Sequence, residues 1–380
     1  MKDYKFIGEA VDRLVTVPMS NWTILKGLPL TETYEAARKK GGGDPMTLRA
    51  AQLLNERVGK GDTVLLLSGF VILNWNRPET DGPVGVAALA RSLDLALGAV
   101  PVILTEDILV DNLAKTTESA GMIVCHSEEE LKRGGRGRKA MVMGFPLDHE
   151  EAKKQAAEIL DRLNPKAVIA VERPGWNDKH VHHSGMGYDI SSVTAKLDYL
   201  YEEARARGIL TIGVGDLGNE MGMGNVEEEV KAGIPNGATC LCGCGGGIAT
   251  SVKSDVGLIC NISNWGAYGI CACLAALAGE EEVLHSGEME KRMIRACVDA
   301  GALDPVSGML IPRVDGEPEE INAYIIEMLH GIVRHATTGS IFTRSYIDTG
   351  KNKITNLKNK ASGIWPTAHI LTLKIPDKPD

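Results

Sequence analysis

Short apolar runs alternate with longer stretches of helical spacing through most of the chain. Residues 63–69, 100–105, 121–125, 140–144, 167–171, 209–213 and 256–260 are rich in Val, Ile, Leu and Met and nearly devoid of charge. Runs this apolar do not alternate between a wet and a dry face, so they predict strands buried on both sides. Residues 84–97, 149–163, 192–207, 267–278 and 281–300 carry apolar positions three and four apart and predict helices. Strand followed by helix, repeated, predicts an α/β fold: a mostly parallel sheet with helices on both faces and ligands outside the carboxyl ends of the strands. Residues 1–45 read as a helical N-terminal segment and 46–335 as the α/β domain, with a possible division into two lobes near 128–140. Residues 336–380, rich in Lys, Asn and Thr from about 338 on, read as an irregular C-terminal arm.

The residues just beyond the strand ends carry the chemistry. They are Glu79-Thr80-Asp81-Gly82-Pro83, Glu106-Asp107, Glu172-Arg173-Pro174-Gly175, Asp216-Leu217-Gly218-Asn219-Glu220 and Ser263-Asn264-Trp265-Gly266. Four strand ends thus bring carboxylates to one rim. Gly213-Val214-Gly215-Asp216-Leu217-Gly218 matches G-x-G-x-x-G after a strand, yet the dinucleotide reading fails. A pyrophosphate needs bare N–H groups at a helix N-terminus. Here Asp216 and Glu220 bring negative charge, and no acid follows at the spacing a ribose would require. NAD is therefore not expected. Converging carboxylates serve either as helix caps or as ligands for a hard divalent cation. Asp81 before Gly-Pro-Val suits a cap, whereas Asp216, Asn219 and Glu220 on a Gly-kinked loop suit Mg²⁺, Mn²⁺ or Ca²⁺.

Composition narrows the classes. With 380 residues, 44% apolar and 24% charged, the chain can bury a large core. A net charge of −9 argues against a nucleic-acid surface. The one basic run, residues 132–139, reads as a solvated loop. No apolar run reaches the ~18 residues of a membrane span, and no leader pattern opens the chain, so a cytoplasmic protein is expected. Its eight cysteines then read as reduced thiols. Cys240-Leu241-Cys242-Gly243-Cys244 lacks the C-x2-C spacing of common metal sites, and no ligand pair of that spacing accompanies it. It reads as small side chains in a Gly-rich segment. His180-Val181-His182-His183 reads as exposed histidines in a polar loop, with imidazole ligation of Mn²⁺ or Zn²⁺ as the other option.

Several segments together resemble the D-glutamate cyclase C-terminal domain family. They are Leu67-Ser68-Gly69-Phe70, Glu79 to Gly85, Ala88 to Arg91, Glu172-Arg173-Pro174-Gly175, Leu197-Asp198, Thr211 to Gly224, Ile234 to Ala238 and Ser263-Asn264-Trp265-Gly266, in order from about residue 45 to 280. The resemblance implies a lyase that converts D-glutamate to 5-oxo-D-proline with loss of water. On that reading Asp216, Glu220 and Glu172 would hold a divalent cation, with Asp81, Asp216 and Glu220 as the catalytic set and Asp81 as proton acceptor. Ser68, Asn219 and Asn264 would orient the substrate. Arg173 would pair with its α-carboxylate, the competing role being a salt bridge to a neighbouring acid. The expected partner is a small acidic amino acid, and a homo-oligomer is the expected assembly. Two alternatives use the same rim: a metal-dependent hydrolase of phosphate esters, with two cations, and a non-catalytic metabolite-binding protein. The Cys240–Cys244 run departs from the apolar strand expected there.

Overall fold

The computed structural model describes residues 4–19, 28–133 and 137–337. Its centre is a sheet of seven strands, all parallel, in the order β5-β6-β4-β1-β7-β8-β9. These are β1 (Thr63–Ser68), β4 (Val100–Thr105), β5 (Ile123–Cys125), β6 (Lys139–Gly144), β7 (Ala167–Val171), β8 (Leu210–Gly215) and β9 (Val256–Ile259). A short hairpin, β2 (Val71–Ile72) with β3 (Arg77–Pro78), follows β1. A second, β10 (Arg313–Val314) with β11 (Glu317–Pro318), lies late in the chain.

The apolar runs are strands because both faces of the sheet are covered. Val64 and Leu66 of β1 join the larger core, while Leu65 and Leu67 join the smaller one on the opposite face. The larger core packs under the helices Pro83–Leu97, Ser263–Ala278, Gly287–Asp299 and Glu319–Thr337, together with the N-terminal helices Tyr4–Val15 and Met46–Arg57. The smaller core lies under His149–Leu163 and Asp198–Ala206. Ser263–Ala278 is buried all round, which accounts for its nearly uninterrupted small and apolar sequence.

Chain order reverses at β1. From β1 the chain moves to β4, β5 and β6 on one side, then crosses to β7, β8 and β9 on the other. The crevice between the carboxyl ends of β1 and β7 is therefore the topological switch point, where doubly wound sheets bind ligands. Residues 128–140, where a lobe boundary was considered, connect β5 and β6, adjacent strands of this one sheet.

Three helices differ from their expected limits. The helix expected from 192 begins at Asp198, because the Ala195 peptide is held at both ends: Glu106 Oε1 accepts from Ala195 N and Arg173 Nη2 donates to Ala195 O. The helix expected from 267 begins at Ser263, whose N–H is capped by Asp81. The stretch 281–300 breaks into a 3₁₀ turn, Glu281–Val283, and a helix, Gly287–Asp299, that Ser286 caps by accepting from Met289 N. Of the expected arm 336–380, residues 338–380 lie outside the described residues; the helix Glu319–Thr337 leads up to them.

Candidate active site at the switch point

A cavity of about 660 Å³ opens at the carboxyl ends of β1, β7 and β8. Its polar floor is Glu79, Glu172, Asp216, Asn219, Glu220 and Asp315, and its walls are largely apolar, with Phe70, Trp75, Tyr188 and Ile190 among them. No lysine or arginine is among the described residues lining it.

The rim is fixed by two helix starts that cap each other. Asp81 accepts from Ser263 N at 2.9 Å and Asn264 N at 2.8 Å, so it caps the helix Ser263–Ala278. Asn264 Oδ1 in turn accepts from Gly82 N at 2.9 Å and Gly85 N at 2.7 Å, capping the helix Pro83–Leu97. The cap foreseen for Asp81 thus exists, but on the other helix. Both side chains are buried, with these bonds as their occupation, and neither lines the cavity. Ser68 ends β1 nearby, also buried and away from the lining; its hydroxyl finds no hydrogen-bond partner.

The loop after β8 is shaped by glycines that bring backbone and carboxylate against the strand. A Cβ on Gly213 would stand 2.2 Å from the Met221 carbonyl oxygen, and one on Gly215 would stand 2.5 Å from Glu220 Oε2. The G-x-G pattern therefore serves a tight fold-back of residues 216–222 onto β8. Glu220 stabilises that fold-back, accepting from Leu217 N at 3.0 Å and Gly218 N at 2.7 Å. Asn219 Nδ2 donates to the His183 carbonyl at 2.9 Å, while its Oδ1, buried at the cavity lining, has no hydrogen-bond partner. Glu172 sits in left-handed backbone, φ 44°, directly after β7 and accepts from Ser263 Oγ at 2.5 Å.

Two groups of carboxylates have the spacing of a cation site, and they share Asp216. Asp81, Asp216 and Asp315 each offer an oxygen within 4.8 Å of the others, as do Glu172, Asp216 and Glu220. Burial holds the carboxyls of Glu79, Asp81, Glu172 and Asp216 well above the usual range, and mutual repulsion adds to it. Asp315 is pushed to about 7, with burial the main cause and a hydrogen bond from Asp216 acting in the opposite direction. So many buried anions facing one another are costly unless protons or a cation offset them. A donor set made wholly of oxygens fits Mg²⁺, Mn²⁺ or Ca²⁺ rather than a soft metal.

Asp315 was missed in the sequence. It and Gly316 form the two-residue turn of the β10–β11 hairpin, with φ of 51° and 84°. Asp-Gly is the strongest hairpin signal a sequence offers, but such a tip normally faces water, and nothing local shows that this one folds over the rim. Glu79 stood among the strand-end acids, and the structure brings it to the cavity floor.

Arg173 does not reach the cavity. It is fully buried in a bidentate pair with Glu106, with both N···O distances 2.7 Å, and it also donates to Gly69 O and Ala195 O. The salt bridge weighed against a substrate role is thus what the geometry contains.

The family described as "D-glutamate cyclase-like, C-terminal" matches residues 39–330. The chain belongs to this family. A relative is the protein named "D-glutamate cyclase, mitochondrial" of Homo sapiens, 27% identical over 286 residues, which are 67% of this chain and 43% of that protein. The chain thus aligns with less than half of its relative's length. Among the described residues, no helix is long and apolar enough to cross a membrane.

Proposed function

We propose that the cavity at the β1/β7 crevice is the active site of a divalent-cation-dependent lyase that closes D-glutamate, or a close relative of it, to the 5-oxo-D-proline ring with loss of water. The observation that carries this reading is the cavity itself: a floor of five carboxyls and one free amide oxygen, with no lysine or arginine among the described residues lining it. An ammonium group suits such a floor. A substrate carboxylate does not, unless a cation accompanies it. Bound by Asp216, Glu220 and Glu172, a divalent cation would offset the carboxylate charge and supply Lewis acidity toward the substrate's distal carboxyl group.

The chain's own residues supply the rest. The substrate ammonium group must shed one proton before its nitrogen attacks the distal carboxyl carbon and a second as the C–N bond forms; the C–O bond then breaks, and the departing oxygen takes up two protons to leave as water. On this reading Asp315, which lines the cavity beside Asp216, accepts the ammonium proton. Asp81, expected in that role from the sequence, has both carboxylate oxygens engaged by the backbone N–H groups of Gly82, Ser263 and Asn264, so its part on this reading is to hold the helix start. Glu79 lines the same floor, and burial raises its carboxyl well above the usual range, which suits it to donate to the departing oxygen. Asn219 Oδ1 is free to orient the ammonium group. The apolar walls would strengthen the interaction of these groups with the charge that develops on the distal carboxyl group.

One feature favours a second reading. Two carboxylate triads joined through Asp216 are what a two-cation hydrolase of phosphate esters would use. Incubating the purified protein with each enantiomer of glutamate and of 5-oxoproline, with Mn²⁺ or after chelation, separates the readings. Cation-dependent interconversion of the D pair supports the lyase. No conversion of any of the four, together with two equivalents of Mn²⁺ bound and turnover of a generic phosphate ester, overturns it.

A further inference from the structure

The thiols of residues 240–244 do not form an apolar strand. The segment is a succession of turns, with Gly243 and Gly245 at φ of 78° and 82°, and Cys242 is exposed. These left-handed glycines curl the chain so that all three sulfurs converge: Cys240 Sγ lies 3.2 Å from Cys242 Sγ and 3.4 Å from Cys244 Sγ. The fourth member comes from a distant loop. His183 Nε2 lies 3.3 Å from Cys242 Sγ and 3.7 Å from Cys244 Sγ. All four atoms lie within 4.8 Å of one another. The other histidines of that loop are differently engaged. His180 stacks on Trp176, and His182 pairs with Asp198 at 2.8 Å.

We propose that His183, Cys240, Cys242 and Cys244 form a closed structural zinc site, separate from the carboxylate rim. The donor set is S₃N, soft and four in number, which selects Zn²⁺ in a tetrahedron with no position left for substrate. Zn–S near ~2.3 Å and Zn–N near ~2.1 Å put neighbouring ligand atoms roughly 3.6–3.8 Å apart. The four separations of 3.2, 3.4, 3.3 and 3.7 Å need to change by at most about 0.6 Å to reach that range. Amide donors already surround the sulfur of Cys244: Gly246 N lies at 3.4 Å and Asn177 Nδ2 at 3.5 Å. N–H groups directed at a sulfur stabilise a metal-bound thiolate.

The site joins two loops that are also linked by bonds from Leu241 N to Gly187 O and from Asn177 Nδ2 to Gly247 O. Directly after His183 come Ser184, Gly185, Met186, Tyr188 and Ile190, which form one wall of the cavity. The His183 carbonyl also receives the Asn219 amide. Zinc at this point would pin that wall without touching substrate.

The test is metal analysis of the full chain purified under reducing conditions without chelator, followed by Co²⁺ replacement. The expected result is one zinc per chain, retained in Asp216→Asn and lost in Cys242→Ser and Cys244→Ser. Co²⁺ should give the visible bands and sulfur charge-transfer absorption of a tetrahedral thiolate complex. Limited proteolysis should then cut the 177–190 and 236–250 loops faster in the cysteine variants. Wild-type protein that neither retains nor takes up zinc, or that gives a Co²⁺ spectrum without thiolate bands, overturns the proposal, as does zinc persisting in Cys244→Ser. Should the variants fail to fold, the wild-type Co²⁺ spectrum alone decides.

Discussion

The carboxylate floor and the thiol–imidazole loop are close neighbours built on opposite principles. The floor gathers hard oxygen donors from the ends of β7 and β8, from the segment after the β2–β3 hairpin and from the β10–β11 turn. Its groups are buried and repel one another, and some of their oxygens line open space. The loop gathers soft donors from two irregular segments nearly sixty residues apart, whose ligand atoms converge directly on one another. Asn219 belongs to both regions, lining the cavity with one end and holding the His183 carbonyl with the other. The difference teaches where function and support divide. Open coordination by hard ligands suits chemistry on a substrate, and closed coordination by soft ligands suits holding a wall in place.

The comparison breaks most readily at Asp216, the carboxylate shared by both triads. Asp216→Asn should lower cyclisation about 10²–10³-fold, the usual cost of removing a group that stabilises developing charge, while zinc content stays at the wild-type level. Parallel turnover and metal analyses check both halves; near-normal turnover would remove the rim from the chemistry. Arg173 marks the boundary between site and scaffold. Removing one member of a buried pair leaves the other charge unpaired, so Arg173→Ala should cost about 3–5 kcal/mol in urea unfolding. Any folded fraction should keep the wild-type KM, whereas a raised KM with unchanged stability would return Arg173 to substrate binding. The mutual caps come next: Asp81→Ala should lose about 1–3 kcal/mol, because buried helix N–H groups lose their acceptor. Unfolding midpoints measure it, and loss of activity with no loss of stability would restore Asp81 as the catalytic base.

The smallest effect is a pH dependence from the carboxylate region. In metal-free protein, Asp81, Glu172, Asp216 and Asp315 have folded-state pKa values above their unfolded ones. The folded state therefore binds the extra protons. Stability from these groups is fully present below the ordinary carboxylate range and is lost as pH rises through the raised values, about 7 for Asp315. Chelator-treated protein should melt a few degrees lower at about pH 8 than at about pH 6. Mn²⁺ should restore more of that loss at the higher pH. A melting point that does not change with pH would mean the carboxylates do not face one another as described.

The strands and the rim were legible because a buried parallel strand leaves an unbroken apolar run, and the residues after such runs must meet at one edge. Glu79, Glu172, Asp216 and Glu220 were found in that way. Asp315 was not, since its hairpin reaches the rim from outside the sheet and no periodicity records where a surface turn lands. Arg173 and Asp81 show the opposite limit. Their positions were legible, but whether a side chain turns to the cavity or to a helix start depends on neighbours such as Glu106 and Asn264, far away in sequence. His183 and the cysteines failed as a pattern because ligand spacing describes one continuous segment, and this cluster is made by two.

The most direct test of the whole account is an Mn²⁺ titration of zinc-loaded protein, followed by electron paramagnetic resonance, in wild type, Asp216→Asn and Cys244→Ser. The account predicts Mn²⁺ binding in wild type and Cys244→Ser, and its loss in Asp216→Asn. Mn²⁺ binding that survives Asp216→Asn, or that disappears in a folded Cys244→Ser, would contradict the division of the molecule into a hard, catalytic centre and a soft, structural one.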